Sequence, residues 1–86
     1  MNEETYTSMG ITTDLKLVLH NDDATDMGTV LAAIMVVMGY DQVRAEQLMV
    51  LAHHRGQVCM KDGGDLDALI GAKEAFGRVG INVTLE

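Results

Sequence analysis

Hydrophobic residues recur along the chain with two different periods. Residues 15–19 (LKLVL) and 81–85 (INVTL) alternate between apolar and polar side chains, as half-buried strands do. Residues 57–61 (QVCMK) contain a short apolar run that also predicts a strand. Three intervening stretches instead place apolar residues three or four positions apart, which is typical of helices that bury one face. The pattern therefore predicts strand, helix, helix, strand, helix and strand in that order.

Polar capping residues and glycines mark the ends of the three predicted helices. Thr25, Asp41 and Asp65 stand where N-terminal caps are expected, and Asp26 adds a favourable charge at the positive end of the first helix. The predicted helix ends are followed by Gly39, Gly56 and Gly80. The glycine-rich segment 62–64 (DGG) predicts a turn after the second strand.

Together these elements predict one small α+β domain. The helices should cover one face of a three-stranded sheet, because each layer then buries its apolar side against the other. We expect this domain to span residues 14–86. Residues 1–13 are polar and show no periodicity, so we expect them to form a flexible N-terminal arm.

Charge and hydropathy exclude several classes of partner. Thirteen acidic residues against six basic ones give a net charge of −7, and the field of such a protein repels nucleic acids. The longest apolar run, residues 30–38, is too short to span a membrane. The N-terminus also lacks the basic and apolar order of a signal peptide, so we expect a cytoplasmic protein without a membrane partner.

The sequence shows no catalytic arrangement. Its single cysteine, Cys59, cannot form an internal disulfide, and we expect it to be a small core residue rather than a nucleophile. Neither an activated base nor an oxyanion hole is apparent. We therefore expect a protein that is not an enzyme and that needs no cofactor and no metal.

Residues 20–23 (His-Asn-Asp-Asp) follow the first predicted strand and bring an imidazole, an amide and two carboxylates together. If the helix hairpin folds back, His53 at the end of the second helix lies beside this turn, whereas His54 is expected to be solvated. The resulting cavity suits a cation that donates hydrogen bonds: a metal ion, or an ammonium such as the free N-terminus of a peptide. The same residues are also compatible with an ordinary turn and cap, and they match no compact spacing of zinc ligands.

Three motifs within residues 15–60 together resemble the ClpS family of proteolytic adaptors. They are the run LVLHNDDATDM (17–27), the helix pair joined at Gly39-Tyr40, and RAEQLMVLAHHRG (44–56). The C-terminal residues 83–86 (VTLE) are similar to the last strand of that family. The last helix and strand also resemble the C-terminal domain of the ribosomal stalk protein. The alternative to an adaptor is therefore a protein–protein interaction domain without recognition of N-terminal residues, either of the stalk kind or a family paralogue that does not deliver substrates.

The resemblance implies an adaptor that binds substrate proteins through a destabilising, bulky hydrophobic N-terminal residue, an N-degron. It also implies delivery of these proteins to a Clp AAA+ unfoldase, of the ClpA or ClpC kind, for degradation. The α-amino group would be held by Asn21, Asp22, Asp23 and His53. The pocket for the first side chain would be lined by Thr25, Met27, Val30, Met49, Ala52 and Ile81. We expect the protein to act as a monomer.

The chain departs from the family pattern at several positions. Asp26 replaces the usual proline, Ala24 replaces an aromatic residue, and the segment between Gly56 and the third helix, where family members contact the unfoldase, is shorter. Ala52 stands where a larger aliphatic residue is common. A smaller residue in the pocket wall leaves space that an aromatic side chain fills better than leucine, so we expect a preference for aromatic N-terminal residues.

Overall fold

The computed structural model describes residues 10–86, so residues 1–9 of the predicted arm lie outside the described residues. The elements follow the predicted order of strand, helix, helix, strand, helix and strand. Their bounds are β1 Thr12–His20, α1 Met27–Met38, α2 Gln42–Arg55, β2 Gln57–Asp65, α3 Leu66–Arg78 and β3 Val83–Leu85. The predicted α+β class is confirmed.

Strand β1 lies in the middle of a three-stranded antiparallel sheet of order β2-β1-β3. Its three consecutive apolar residues Leu17, Val18 and Leu19 are all buried, with exposed fractions of 4% or less. A strand can bury consecutive residues only when both of its faces are covered, and a central position between two neighbours favours that burial. Leu17 and Leu19 belong to the core cluster on the inner face, whereas Val18 lies on the opposite face and outside that cluster.

The core lies between the inner face of the sheet and the three helices. Phe76, Leu17 and Ile34 are its largest fully buried side chains, and they come from α3, β1 and α1. The other buried members of the cluster are Leu19, Ala45, Leu48, Ala52, Met60, Leu69, Ile81 and Val83. All six elements, or the residues next to them, thus contribute to one core.

Two of the three predicted helix caps are confirmed. The Asp41 carboxylate accepts a hydrogen bond from the Arg44 amide at 2.9 Å, and the Asp65 carboxylate accepts one from Ala68 at 2.9 Å. The predicted Thr25 cap was wrong, because α1 begins at Met27 and Asp26 is its N-cap. The Asp26 carboxylate accepts a hydrogen bond from the Thr29 amide, whereas the Thr25 hydroxyl donates to the Asp22 carboxylate.

The predicted turn at residues 62–64 was also wrong, because β2 continues through them to Asp65. The pairing of β1 with β2 shifts register twice, between Thr13 and Lys16 and again between Leu17 and Val18. The first shift places an extra residue in β1 and the second an extra residue in β2, so the overall alignment is restored. Gly63 and Gly64 adopt positive φ angles of 72° and 125°, which allows the strand to continue where a turn was expected.

One further boundary and the burial of one residue also differ from expectation. Strand β1 begins at Thr12, so it includes the last two residues of the stretch that the sequence assigned to the arm. Cys59 is exposed rather than in the core. It lies between half-buried Val58 and buried Met60 in β2, and the alternation of the strand directs it to the opposite face. Within residues 10–86, none of the helices has the length and apolar character needed to cross a membrane.

Gly63 provides a test of the irregular β1–β2 pairing. A Cβ atom at this position would lie 3.0 Å from the Thr13 carbonyl oxygen, and its φ of 72° disfavours any other residue. We expect Gly63→Ala to lower the free energy of unfolding, measured by urea denaturation, by about 1–3 kcal/mol. Gly71→Ala is the matched control: this site in α3 is unobstructed, so alanine should stabilise the protein by about 0.5–1 kcal/mol. Equal stability of wild type and Gly63→Ala would contradict the bulged pairing.

Candidate functional site

A partly enclosed cavity lies where β1 ends, α1 begins and α2 ends. Its empty volume, including the open mouth, is about 420 Å³. The lining residues are Leu19, His20, Asn21, Asp22, Thr25, Met27, Val30, Met49, Ala52, His53 and Ile81. The cavity therefore joins polar residues of the β1–α1 turn to apolar residues of both helices and of the segment before β3.

The structure brings together all but one of the residues that the sequence analysis assigned to a site. The exception is Asp23, which is exposed and is not among the lining residues. Leu19 and His20 line the cavity but were not predicted. Their position directly before Asn21 was the available signal, because the end of the central strand leads straight into the site.

Hydrogen bonds from the β1–α1 turn hold three separate segments around the cavity. The Asn21 amide donates to the Gly56 carbonyl oxygen at 2.9 Å, which ties the turn to the end of α2. The Thr25 hydroxyl lies 3.4 Å from the Gly80 carbonyl oxygen, at the connection that leads to Ile81. These contacts bring the ends of distant elements to one place and so assemble the cavity.

The Asp22 carboxylate organises the turn itself. One oxygen accepts a hydrogen bond from the Ala24 amide at 2.8 Å, and the other accepts one from the Thr25 hydroxyl at 3.1 Å. Such short-range bonds are typical of an aspartate that fixes a turn. Each carboxylate oxygen still has a free lone pair, so Asp22 can hold the turn and also present negative charge to the cavity.

The two neighbouring histidines at the end of α2 occupy different environments. Their rings meet edge to face, with centroids 5.6 Å apart, yet only His53 lines the cavity. Successive residues of a helix point about 100° apart, so the two rings cannot both face the same site. His54 is exposed. His53 therefore lies in the cavity wall, and His54 is an adjacent residue of the same type outside the cavity.

The cavity has a polar end and an apolar wall. Asn21, Asp22 and His53 supply oxygen and nitrogen acceptors, and none of the described lining residues is a lysine or an arginine. The wall consists of Met27, Val30, Met49, Ala52 and Ile81. Among residues 10–86, no three His, Cys, Asp or Glu side chains are grouped as metal ligands. The arrangement suits a molecule that carries a hydrogen-bond-donating cation next to a hydrophobic group.

Met27 differs from the rest of the wall in its exposure. It is the first residue of α1 and is 57% exposed, whereas Ala52 and Ile81 deeper in the wall are 3% and 4% exposed. A flexible methionine at the mouth can change rotamer and adapt to the shape of a bound group. The mouth is thus the adaptable part of the cavity, and its base is fixed by the core.

Comparisons with known proteins agree with this architecture. The sequence profile of the family described as "ATP-dependent Clp protease adaptor protein ClpS" matches residues 12–69, a range that includes every lining residue except Ile81. The fold is similar to that of Agrobacterium tumefaciens ClpS2, whose structure was solved with L-phenylalaninamide bound, with a TM-score of 0.71. The two chains are 22% identical over 84% of this chain and 93% of that chain. No curated protein matches the sequence.

Proposed function

The chain belongs to the ClpS family of ATP-dependent Clp protease adaptors, and we propose that its cavity binds the N-terminal residue of substrate proteins. One observation carries the proposal: hydrogen-bond acceptors and an apolar wall meet in a single, partly enclosed cavity. The N-terminus of a protein presents an ammonium group one bond away from the carbon that bears the first side chain. A bulky hydrophobic N-terminal residue therefore matches both halves of the cavity at once.

The polar end is assigned to the α-amino group. An ammonium group has three N–H donors and no acceptor, so it needs acceptors without a competing cation. The Asn21 carbonyl oxygen, the Asp22 carboxylate and a neutral His53 ring supply them. Asp23 lies outside the cavity, so its proposed contribution is the attraction of its negative charge for the ammonium rather than a contact in the cavity.

The apolar wall is assigned to the first side chain of the substrate. Burial of a leucine- or phenylalanine-sized side chain contributes roughly 1.5–3 kcal/mol, and each hydrogen bond to a charged group a similar amount. The cost of ordering the peptide offsets part of this gain. We expect moderate affinity, which suits an adaptor that must release what it binds.

Delivery to a Clp AAA+ unfoldase is the second part of the proposal, and family membership supports it. We propose that the protein acts as a cytoplasmic monomer with an unfoldase of the ClpA or ClpC kind. The segment where family members contact the unfoldase is short in this chain and forms the continuous strand β2, Gln57–Asp65. The substrate site is therefore assigned to individual residues, and the unfoldase is assigned only as a class of partner.

The free amine of the substrate tests the proposed site. A fluorescent peptide with a free N-terminal phenylalanine should bind, and the same peptide with an acetylated N-terminus should bind roughly 10–100-fold more weakly, because acetylation removes the charge. His53→Ala should weaken binding of the free peptide by a similar factor. His54→Ala is the matched control, since this neighbour lies outside the cavity, and it should bind as the wild type does.

The peptide-binding assay also distinguishes an adaptor from an assembly domain. Equal binding of the free and acetylated peptides, or no binding of either, would favour an assembly domain of the ribosomal-stalk kind. Thermal unfolding of each variant shows whether a loss of binding reflects the site or the fold. In a reconstituted unfoldase–protease assay, His53→Ala should also lose the adaptor-dependent degradation of the same substrate, because delivery requires binding.

Ala52 tests the proposed preference for aromatic N-terminal residues. This alanine is 3% exposed and lies in the apolar wall. Valine at this position would add two methyl groups, worth up to about 1.5 kcal/mol of contact with a short side chain. We expect the wild type to bind Phe- and Trp-initiated peptides more tightly than a Leu-initiated one. Ala52→Val should reduce this difference in affinity. A leucine preference of the wild type in competition binding would contradict this placement of the wall.

A further inference from the structure

A hydrogen-bonded network joins β1 to β3 beside the cavity. The His20 Nε2 atom lies 2.7 Å from the Thr84 hydroxyl oxygen, and that hydroxyl lies 2.6 Å from the Glu86 carboxylate. The same Glu86 oxygen is 3.2 Å from His20 Nε2. The His20 side chain is 22% exposed and the Glu86 side chain 47% exposed, so the network is partly shielded from water.

The position of the proton in this network follows from the number of donors. The Thr84 hydroxyl has a single hydrogen, and its shortest contact is to a carboxylate, which can only accept when it is ionised. Thr84 therefore donates to Glu86 and accepts from His20. This direction requires a proton on Nε2 of His20, and a short chain of bonds then runs from His20 through Thr84 to Glu86.

The network lies at the junction that carries residues of the cavity. His20 is the last residue of β1 and directly precedes Asn21, and its amide donates to the Asn82 carbonyl oxygen at 3.0 Å. Asn82 directly follows Ile81 of the apolar wall. The distance between the polar end and this part of the wall thus depends on how β3 is aligned with β1.

Strand β3 is aligned with β1 by few backbone bonds: beyond its ladder, Lys16 and Glu86 exchange two bonds of 2.9 Å at one end, and His20 donates to Asn82 at the other. Strand β3 contains only three residues, Val83–Leu85, and it lies at the edge of the sheet. Short edge strands open more readily than central ones, because few hydrogen bonds hold them. The side-chain network from His20 to Thr84 and Glu86 adds to these backbone bonds across the same two strands.

We propose that the His20–Thr84–Glu86 network positions Asn21 and Ile81 relative to each other and so sets the affinity of the cavity for an N-terminal residue. The expected effect of the network on peptide binding rests on the proposed function. The expected effect on the alignment of β1 and β3 does not, since these strands are aligned without a ligand. His20 is a positioning residue in this account, and it acts through its neighbours on the chain.

Thr84 is the position to change, because valine is close to threonine in shape and lacks the hydroxyl. We expect Thr84→Val to weaken binding of the free-amine phenylalanine peptide about three- to tenfold. Thr84→Ser keeps the hydroxyl and should bind this peptide as the wild type does. Asp62→Asn is the matched control: it disrupts another polar pair between strands, Lys16 with Asp62 at 3.8 Å, away from the cavity. Its affinity should equal that of the wild type.

Two spectroscopic measurements on the unliganded protein complete the test. Imidazole nitrogen shifts in NMR should assign the proton of neutral His20 to Nε2 in the wild type. Amide hydrogen exchange of His20, whose N–H bonds to Asn82, should be faster in Thr84→Val than in wild type or Thr84→Ser. These readouts separate the network from the proposed function, because they need no peptide.

The outcomes are distinguishable. Unchanged affinity of Thr84→Val, or unchanged exchange of its His20 amide, would overturn the inference, as would a neutral His20 ring that carries its hydrogen on Nδ1. If the wild type binds no free-amine peptide, the proposed function fails, and the exchange of the His20 amide then decides whether the network aligns the strands. An equal loss of affinity in Asp62→Asn would show a general weakening of the sheet and would also overturn the inference.

Discussion

The central position of β1 is the constraint on which the rest of the structure depends. Its residues Leu17 and Leu19 are buried in the core beneath the helices, and β2 and β3 pair with its two edges. The strand then ends at the one place where the first turn of α1, the last turn of α2 and the segment before β3 converge. A polar turn that directly follows such a strand lies at the edge of the core. The cavity is therefore a consequence of the topology as much as of its lining residues.

The chemistry of the cavity depends on the contrast between its two halves. Asn21, Asp22 and His53 offer acceptors beside a wall that belongs to the hydrophobic core, and the net charge of −7 favours a cationic ligand. Neither half is specific by itself, because acceptor-rich turns and apolar hollows are both common. A protein N-terminus with a bulky first residue is one of the few groups that satisfies both within a few ångströms. The proposed function rests on this combination and on membership of the ClpS family.

Local signals predicted much of the fold and of the site, and contacts between distant residues account for what was missed. Asp41 and Asp65 were identified as caps because a cap bonds within three residues. The choice between Thr25 and Asp26 was wrong because a bond to Asp22 and the approach to Gly80 engage the Thr25 hydroxyl. The two bulges, one in β1 and one in β2, depend on the pairing of these strands, and the network of His20 joins residues 64 positions apart. No pattern within a short window contains either of these contacts.

The position of a bound N-terminal residue is the most direct test of this account. Two-dimensional amide NMR of the labelled protein, titrated with phenylalaninamide, would map that position residue by residue. The account predicts shifts concentrated at Asn21, His53 and the wall residues Met27, Met49 and Ile81, with intermolecular contacts from the phenyl ring to the methionine methyl groups. Shifts confined to the exposed face of α2, at Val43, Gln47 and Val50, would place the ligand in a different groove and contradict the central claim.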